Sequence, residues 1–138
     1  MNLGDAARKL IDGANPGILA TINPDGSPQT SVVWVGTDGD DVVISTQAGR
    51  RKDVNLRRDP RASLLVISKD NPDQYVEIRG TAVVTEDTGR AVAFQLAERY
   101  EEGAGQEYLD LPADVVRTVI RITPTKLTGP ASPQGRSA

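Results

Sequence analysis

The sequence predicts an α+β fold, mainly β, with about six strands curled into a small antiparallel barrel and two to three helices at its margins. Three observations carry this reading. Runs rich in Val, Ile and Thr recur along the chain, each closed by Gly, Pro, Asn or Asp. Helical spacing is confined to short stretches. A mostly hairpin-connected sheet of this length leaves few edges exposed only if it curls on itself.

The elements follow in order. "LGDAARKLIDGAN" places Leu3, Ala7, Leu10, Ile11 and Ala14 on one helical face, with Gly13 or Asn15 as a stop before Pro16. "GILATINPDGSPQTSVVWV" reads as two strands around the hairpin turn Asn23-Pro24-Asp25-Gly26. The turn "GTDGDD" leads into a third strand, "VVISTQ". "RKDVNLRRD" has helical composition and ends at Asp59-Pro60, because a residue before proline avoids the α region. "ASLLVISK" reads as a strand buried on both faces. In "YVEIRGTAVVTED" alternation returns, with Val76, Ile78 and Gly80 opposing Glu77 and Arg79.

"TGRAVAFQLAERYEEG" reads as a helix, with Val92, Leu96 and Tyr100 spaced by four. "GAGQEYLDLPAD" is a loop or a partly helical connector. The last strand, "VVRTVIRITPTKLTG", carries Pro124 as a bend or edge position. Residues 1–129 form one domain, and 130–138 read as a flexible, Pro/Ser/Gly-rich tail. A single domain of 138 residues buries about two-thirds of its unfolded surface. No leader and no apolar run near the roughly 18 residues of a membrane span is read. The expectation is a cytoplasmic protein without membrane contact.

What the composition lacks narrows the chemistry. The chain has no histidine and no cysteine. His-based triads, imidazole or thiolate metal sites and disulfides are thereby excluded. No metal site is expected. An enzyme of this composition leaves the difficult chemistry to a bound cofactor and supplies binding and orientation.

One segment stands apart. "STQAGRRKDVNLRRDPRA", Ser45 to Ala62, holds Arg50, Arg51, Lys52, Arg57, Arg58 and Arg61 in a chain whose net charge is −3. A local basic feature on an acidic body favours a compact anion over a long polyanion. A strand ending at Ser45-Thr46, a Gly-containing loop and a helix starting near Arg50 bring hydroxyls, loop amides and a positive helix end together. That combination suits a phosphate. Arg50 offers a bidentate fork and Lys52 a point charge. Spacing alone is equally compatible with a solvated basic helix face. Nucleic acid is disfavoured because no aromatics interleave with the basic run. Glu101-Glu102 reads as a solvent-facing helix end, Asp40-Asp41 as part of a turn, and Arg79 and Arg121 as outward strand residues.

These residues resemble the FMN-binding split barrels related to pyridoxamine 5′-phosphate oxidase, and within them the small oxidoreductases that use the deazaflavin coenzyme F420. The resemblance runs over residues 3 to 129, through "PGILATINPDGSPQTSVVW", "VVISTQAGRRKDVNLRRDPRASLLV", "YVEIRGTAVV" and "VIRITPTKLTG" in order. It implies a six-stranded split barrel, a homodimer and cofactor grooves between the subunits.

Carried over by position, Arg50 and Lys52 hold the cofactor phosphate, and Ser45 and Thr46 complete its cradle. Gln29 and Ser31 flank the ring, and Ile44 lies beneath it. Asn55, with Leu56, anchors the loop. Trp34 either stacks on a ring or packs at the dimer interface, and Tyr75 either reaches a partner's cofactor or serves the interface alone. The activity implied is hydride transfer between reduced F420 and an electron-poor small molecule (an enone, a quinone or a tetrapyrrole-like compound). FMN is the alternative cofactor, and a non-catalytic flavin- or deazaflavin-binding protein the alternative role. The acidic tail of F420 would give Arg51, Arg57 and Arg58 a task beyond one phosphate.

Overall fold

The computed structural model describes residues 1–135. Hydrophobic alternation builds one seven-stranded antiparallel sheet, in the order β2-β1-β5-β6-β7-β4-β3. The strands are β1 (Gly17–Ile22), β2 (Pro28–Val33), β3 (Val35–Asp38), β4 (Asp41–Gln47), β5 (Arg61–Ile67), β6 (Tyr75–Glu86) and β7 (Arg117–Thr128). Inward residues meet in register across the strands, as Leu19 with Leu64, Leu64 with Ile78, and Ile44 with Ile120. All of these are fully buried, together with Leu3 and Ile11.

The expected count of six strands is corrected to seven. The run after the first hairpin breaks at Trp34: β2 pairs with β1, while β3 pairs with β4. These two strands are the opposite edges of the sheet, so the chain crosses between edges through one residue. Val33 and Val35 are buried on either side of the crossing. The sheet therefore bends into a barrel-like shell. A buried residue on each side makes the run look like one strand in sequence, and only the change of pairing partner separates them.

Four α-helices pack around this shell: α1 (Asp5–Asp12), α2 (Arg51–Arg58), α3 (Ala91–Tyr100) and α4 (Gly105–Leu109), with a 3-10 turn at Thr88–Arg90. The expected two to three are exceeded because the connector after α3 folds into the short α4. In α3 the fully buried face is Ala93, Leu96 and Ala97. Small residues let this helix sit close on β3, where a Cβ at Gly36 would meet Leu96 and Arg99 at 2.9 Å. β5 alternates between buried and half-buried residues instead of burying both faces, so one face alone belongs to the core. The expected loose tail is docked where it begins: Ala131 is fully buried and donates its amide to the Tyr75 carbonyl at 3.0 Å. Residues 136–138 of that tail lie outside the described residues. Among the described residues no helix is long and apolar enough to cross a membrane.

Pro124 falls at an irregularity, as its missing amide requires. Arg79 pairs with Lys126 but Gly80 with Pro124, so β7 carries one extra residue there. A Cβ on Gly80 would lie 2.2 Å from the Thr123 carbonyl oxygen. Gly80→Ala is expected to destabilise the fold by about 1–3 kcal/mol, the range for overpacking. Urea unfolding checks this, and an unchanged midpoint would show that the bulge yields freely.

Candidate functional site

The basic helix begins where β4 ends. β4 carries Ser45, Thr46 and Gln47, the chain turns through Ala48-Gly49, and α2 starts after Arg50, which holds an extended N-cap conformation. Gly49 makes this tight turn at φ +90°, a backbone conformation glycine adopts without strain. The first-turn amides of α2 thus open towards the strand end, with the positive end of the helix dipole behind them.

A groove of about 300 Å³ lies there. Its floor is the end of β4, and Arg50 and Lys52 stand on one side. Val32, Val33 and Trp34 of the edge crossing form another wall, and Tyr108 of α4 and Arg117 of β7 close it. Trp34 stacks on Tyr100, with ring centroids 5.3 Å apart, and meets Tyr108 edge-on at 6.2 Å. The Tyr100 hydroxyl donates to the Asn15 carbonyl at 2.6 Å and accepts from the Val35 amide at 3.1 Å, which fixes the wall at the crossing point.

Electrostatically the groove is one-sided. Arg50, Lys52 and Arg117 line it and no carboxylate does. Burial pushes the Lys52 ammonium below its ordinary pKa, and the charges of Arg50 and Arg117 push it the same way. The Arg117 guanidinium is likewise pushed down, first by burial. Among the described residues, two buried side-chain polar atoms have no hydrogen-bond partner: Arg117 Nε and Ser31 Oγ. Arg117 lines the groove, whereas Ser31 does not and faces the opposite side of β2 from Val32. Three unneutralised cations and the unspent Nε of Arg117 in one place fit a phosphate-bearing ligand, which would supply the missing charge and acceptors.

The sequence-predicted residues divide accordingly. Ser45, Thr46, Arg50, Lys52 and Trp34 come together in the groove. Gln29 and Asn55 meet elsewhere: Thr21 Oγ1 donates to Gln29 Oε1 at 2.6 Å and accepts from Asn55 Nδ2 at 2.9 Å. Asn55 also donates to Asn23 Oδ1 at 3.0 Å. It is fully buried, so it anchors α2 to the β1–β2 hairpin and offers nothing to a ligand. Ile44 is fully buried in the barrel core and has no surface to place beneath a ring. Tyr75 packs against Gly129 and Ala131, outside the groove.

The surplus arginines are corrected as well. Arg57 pairs with Asp53 at 3.0 Å, and Arg58 donates to the Ile22 carbonyl and to Asn55 Oδ1. Of the three assigned to an acidic tail, Arg51 alone makes no ion pair or side-chain hydrogen bond among the described residues.

Sequence reasoning missed Tyr108 and Arg117. Arg117 pairs in register with Gln47, so a correct β4–β7 alignment would have brought it beside the loop between β4 and α2. Tyr108 gave no such signal, because a short helix in a connector has no readable period. Asp53 was missed too. It is 2% exposed and accepts from Thr118 Oγ1 at 2.9 Å and from the Gly49 amide at 3.4 Å. It thereby ties loop, helix and β7 together.

Comparisons with known proteins bear on the family and the fold. The family model described as pyridoxamine 5′-phosphate oxidase matches residues 3–129. Among solved structures, an F420 reductase is 29% identical with a TM-score of 0.74, the match covering 88% of this chain and 94% of that one. A conserved hypothetical protein from Mycobacterium tuberculosis is 28% identical with a TM-score of 0.68, covering 87% and 79%. An FMN-binding, pyridoxamine 5′-phosphate oxidase-related protein from Nostoc punctiforme shares the fold at 14% identity and a TM-score of 0.59, covering 83% and 72%.

Asp53→Ala removes acceptors from a buried hydroxyl and from Arg57. It is expected to cost about 1–3 kcal/mol, the range for leaving buried partners unsatisfied. Thermal or urea unfolding reads the loss. An undiminished stability would mean that Asp53 does not tie the loop to β7.

Proposed function

Because the chain belongs to the pyridoxamine 5′-phosphate oxidase family, we propose that it is an oxidoreductase that holds a flavin-type cofactor by its phosphate in this groove. Coenzyme F420 is the preferred cofactor and FMN the alternative. The carrying observation is the set of three cations lining the groove with no carboxylate among them. The F420 reductase at 29% identity supports the choice of cofactor, since a phosphate cradle would serve either one.

When bound, the cofactor supplies the hydride-carrying centre. Everything else falls to the protein. Arg50 and Lys52 bind the phosphate, with the Ser45 and Thr46 strand end and the α2 amides beside it. Trp34, Val32 and Tyr108 form an apolar and aromatic wall that orients a flat ring and keeps water from it. Hydride transfer then requires little more than alignment of an electron-poor acceptor such as an enone, a quinone or a tetrapyrrole-like compound. Any proton comes from solvent, since the Ser31 hydroxyl is buried and does not line the groove. The groove is at the small end for a small-molecule site, and Val32 on its wall is 75% exposed. A homodimer would cover Val32 and complete the groove with a second copy.

Titration of Trp34 fluorescence with F420 and with FMN, side by side, tests the reading. Micromolar or tighter quenching by F420 with weaker FMN binding is expected. The reverse order would move the protein to FMN, and binding of neither would overturn the proposal.

Lys52→Ala should weaken cofactor binding by roughly 1.5–3 kcal/mol, as for a hydrogen bond to a charged group. That is about ten- to a hundred-fold in Kd. Unfolding should be little changed. The pH dependence has a defined sign. Lys52 must be charged to bind, and burial, with Arg50 and Arg117 beside it, pushes its pKa below the ordinary lysine value. Its contribution is present at pH below that lowered value and lost as pH rises through it. Lys52→Arg should retain affinity to higher pH, and identical alkaline profiles for the two proteins would refute a role for the Lys52 charge.

A further inference from the structure

We propose that Arg117 is a third anion-gripping residue, which with Arg50 and Lys52 makes the groove a receptor for a ligand terminus carrying at least two negative charges. This rests on reading the groove as a phosphate site, and it concerns a residue on a different element from the basic helix.

The contrast with Arg90 carries the argument. Arg90 is an arginine used structurally: its guanidinium donates to the carbonyls of Tyr108, Leu109, Leu111, Pro112 and Val115, at 2.6–3.3 Å. Arg117 has no such set. It is half-buried, makes no ion pair among the described residues, and donates through Nη2 to one neutral acceptor, Ser45 Oγ, at 2.8 Å. Its Nε is buried without a partner. Its guanidinium carbon lies 4.9 Å from the Tyr108 ring centroid, a contact that orients the planar group but accepts none of its hydrogens. The carboxylate of Asp87, on the neighbouring β6–α3 connection, is committed to the Val92 and Ala93 amides at 3.0 and 2.9 Å. A half-buried guanidinium with one neutral acceptor, and with its Nε buried unpartnered, is costly for folding alone. An incoming oxyanion resolves that cost.

The ligand's charge follows. Three cations share one groove free of carboxylates, and a single negative charge would leave a surplus of two. A phosphate monoester dianion, as in FMN, or a phosphodiester with an adjacent carboxylate, as in F420, brings the groove nearer to neutrality.

Calorimetric titrations of the wild type, Arg117→Met and Arg117→Lys with inorganic pyrophosphate, FMN, F420 and riboflavin decide the matter, alongside melting temperatures without anion. Arg117→Met should lose tenfold or more in affinity for pyrophosphate and for whichever phosphorylated cofactor binds, and show no change with riboflavin. Arg117→Lys should recover part of the loss. The anion-free melting temperature of Arg117→Met should hold or rise, since one of three mutually repelling charges is gone. Unchanged pyrophosphate affinity would overturn the inference. So would a loss accompanied by a lower anion-free melting temperature and no recovery in Arg117→Lys, which would mark Arg117 as structural. Cofactor binding that ignores Arg117 would sink this inference and leave the proposed function standing. Arg117-dependent pyrophosphate binding without binding of FMN or F420 would do the reverse.

Discussion

Holding three like charges in one groove is the constraint around which the rest of this molecule is arranged. Arg50, Lys52 and Arg117 come from a helix start and from the first residue of β7, and their mutual repulsion opposes assembly. Among the described residues no carboxylate lines the groove to relieve it. The relief is structural and comes from behind. Asp53, buried on the inner side of α2, holds Thr118 of β7 and the Gly49 amide of the loop, so all three cations are fixed to one support. The carboxylate that could neutralise the groove is turned away from it and used as a strut. Its charge is matched by Arg57, one turn further along the same helix.

The opposite wall depends on a second arginine with the contrary fate. Arg90 sits at φ +57°, an unfavourable backbone conformation for a residue with a side chain. Its five carbonyl acceptors span residues 108–115 and outweigh that strain. They hold the segment that carries Tyr108 and delivers the chain to Arg117. Trp34 completes this wall from the far edge of the sheet. The edge crossing, the Tyr100 hydroxyl and the Arg90 clamp therefore act on the same groove from three different parts of the chain.

Much of this was legible in the sequence, and the limits have physical causes. The α+β class, the hairpin at residues 23–26, the stop at Asp59-Pro60 and the irregularity at Pro124 are local rules of backbone sterics, and local rules survive folding. The basic segment was legible because its charge contrasts with an acidic chain. Its division of labour was not. Whether an arginine faces a ligand or a neighbouring carbonyl depends on residues far away in the chain, as with Arg58 and Ile22. The β2–β3 break escaped for the same reason, since Val33 and Val35 are buried equally and only the identity of the pairing strand changes. Arg117 reads as an ordinary outward strand residue until the β4–β7 register places it against Gln47.

The spent arginines shift where cofactor discrimination can arise on the proposed reading. With Arg57 held by Asp53 and Arg58 by Ile22 and Asn55, the helix offers Arg51 alone to an acidic tail beyond the phosphate. A single exposed guanidinium contributes little to affinity at physiological salt, because solvent and counterions screen it. Choice between F420 and FMN then falls on the enclosed part of the groove, where charges act at short range and low dielectric. On that reading the phosphate's charge state would meet three cations there, and the ring edge would meet Trp34 and Tyr108. A tail that reached past the groove would modulate binding, but the selection would already have been made inside it.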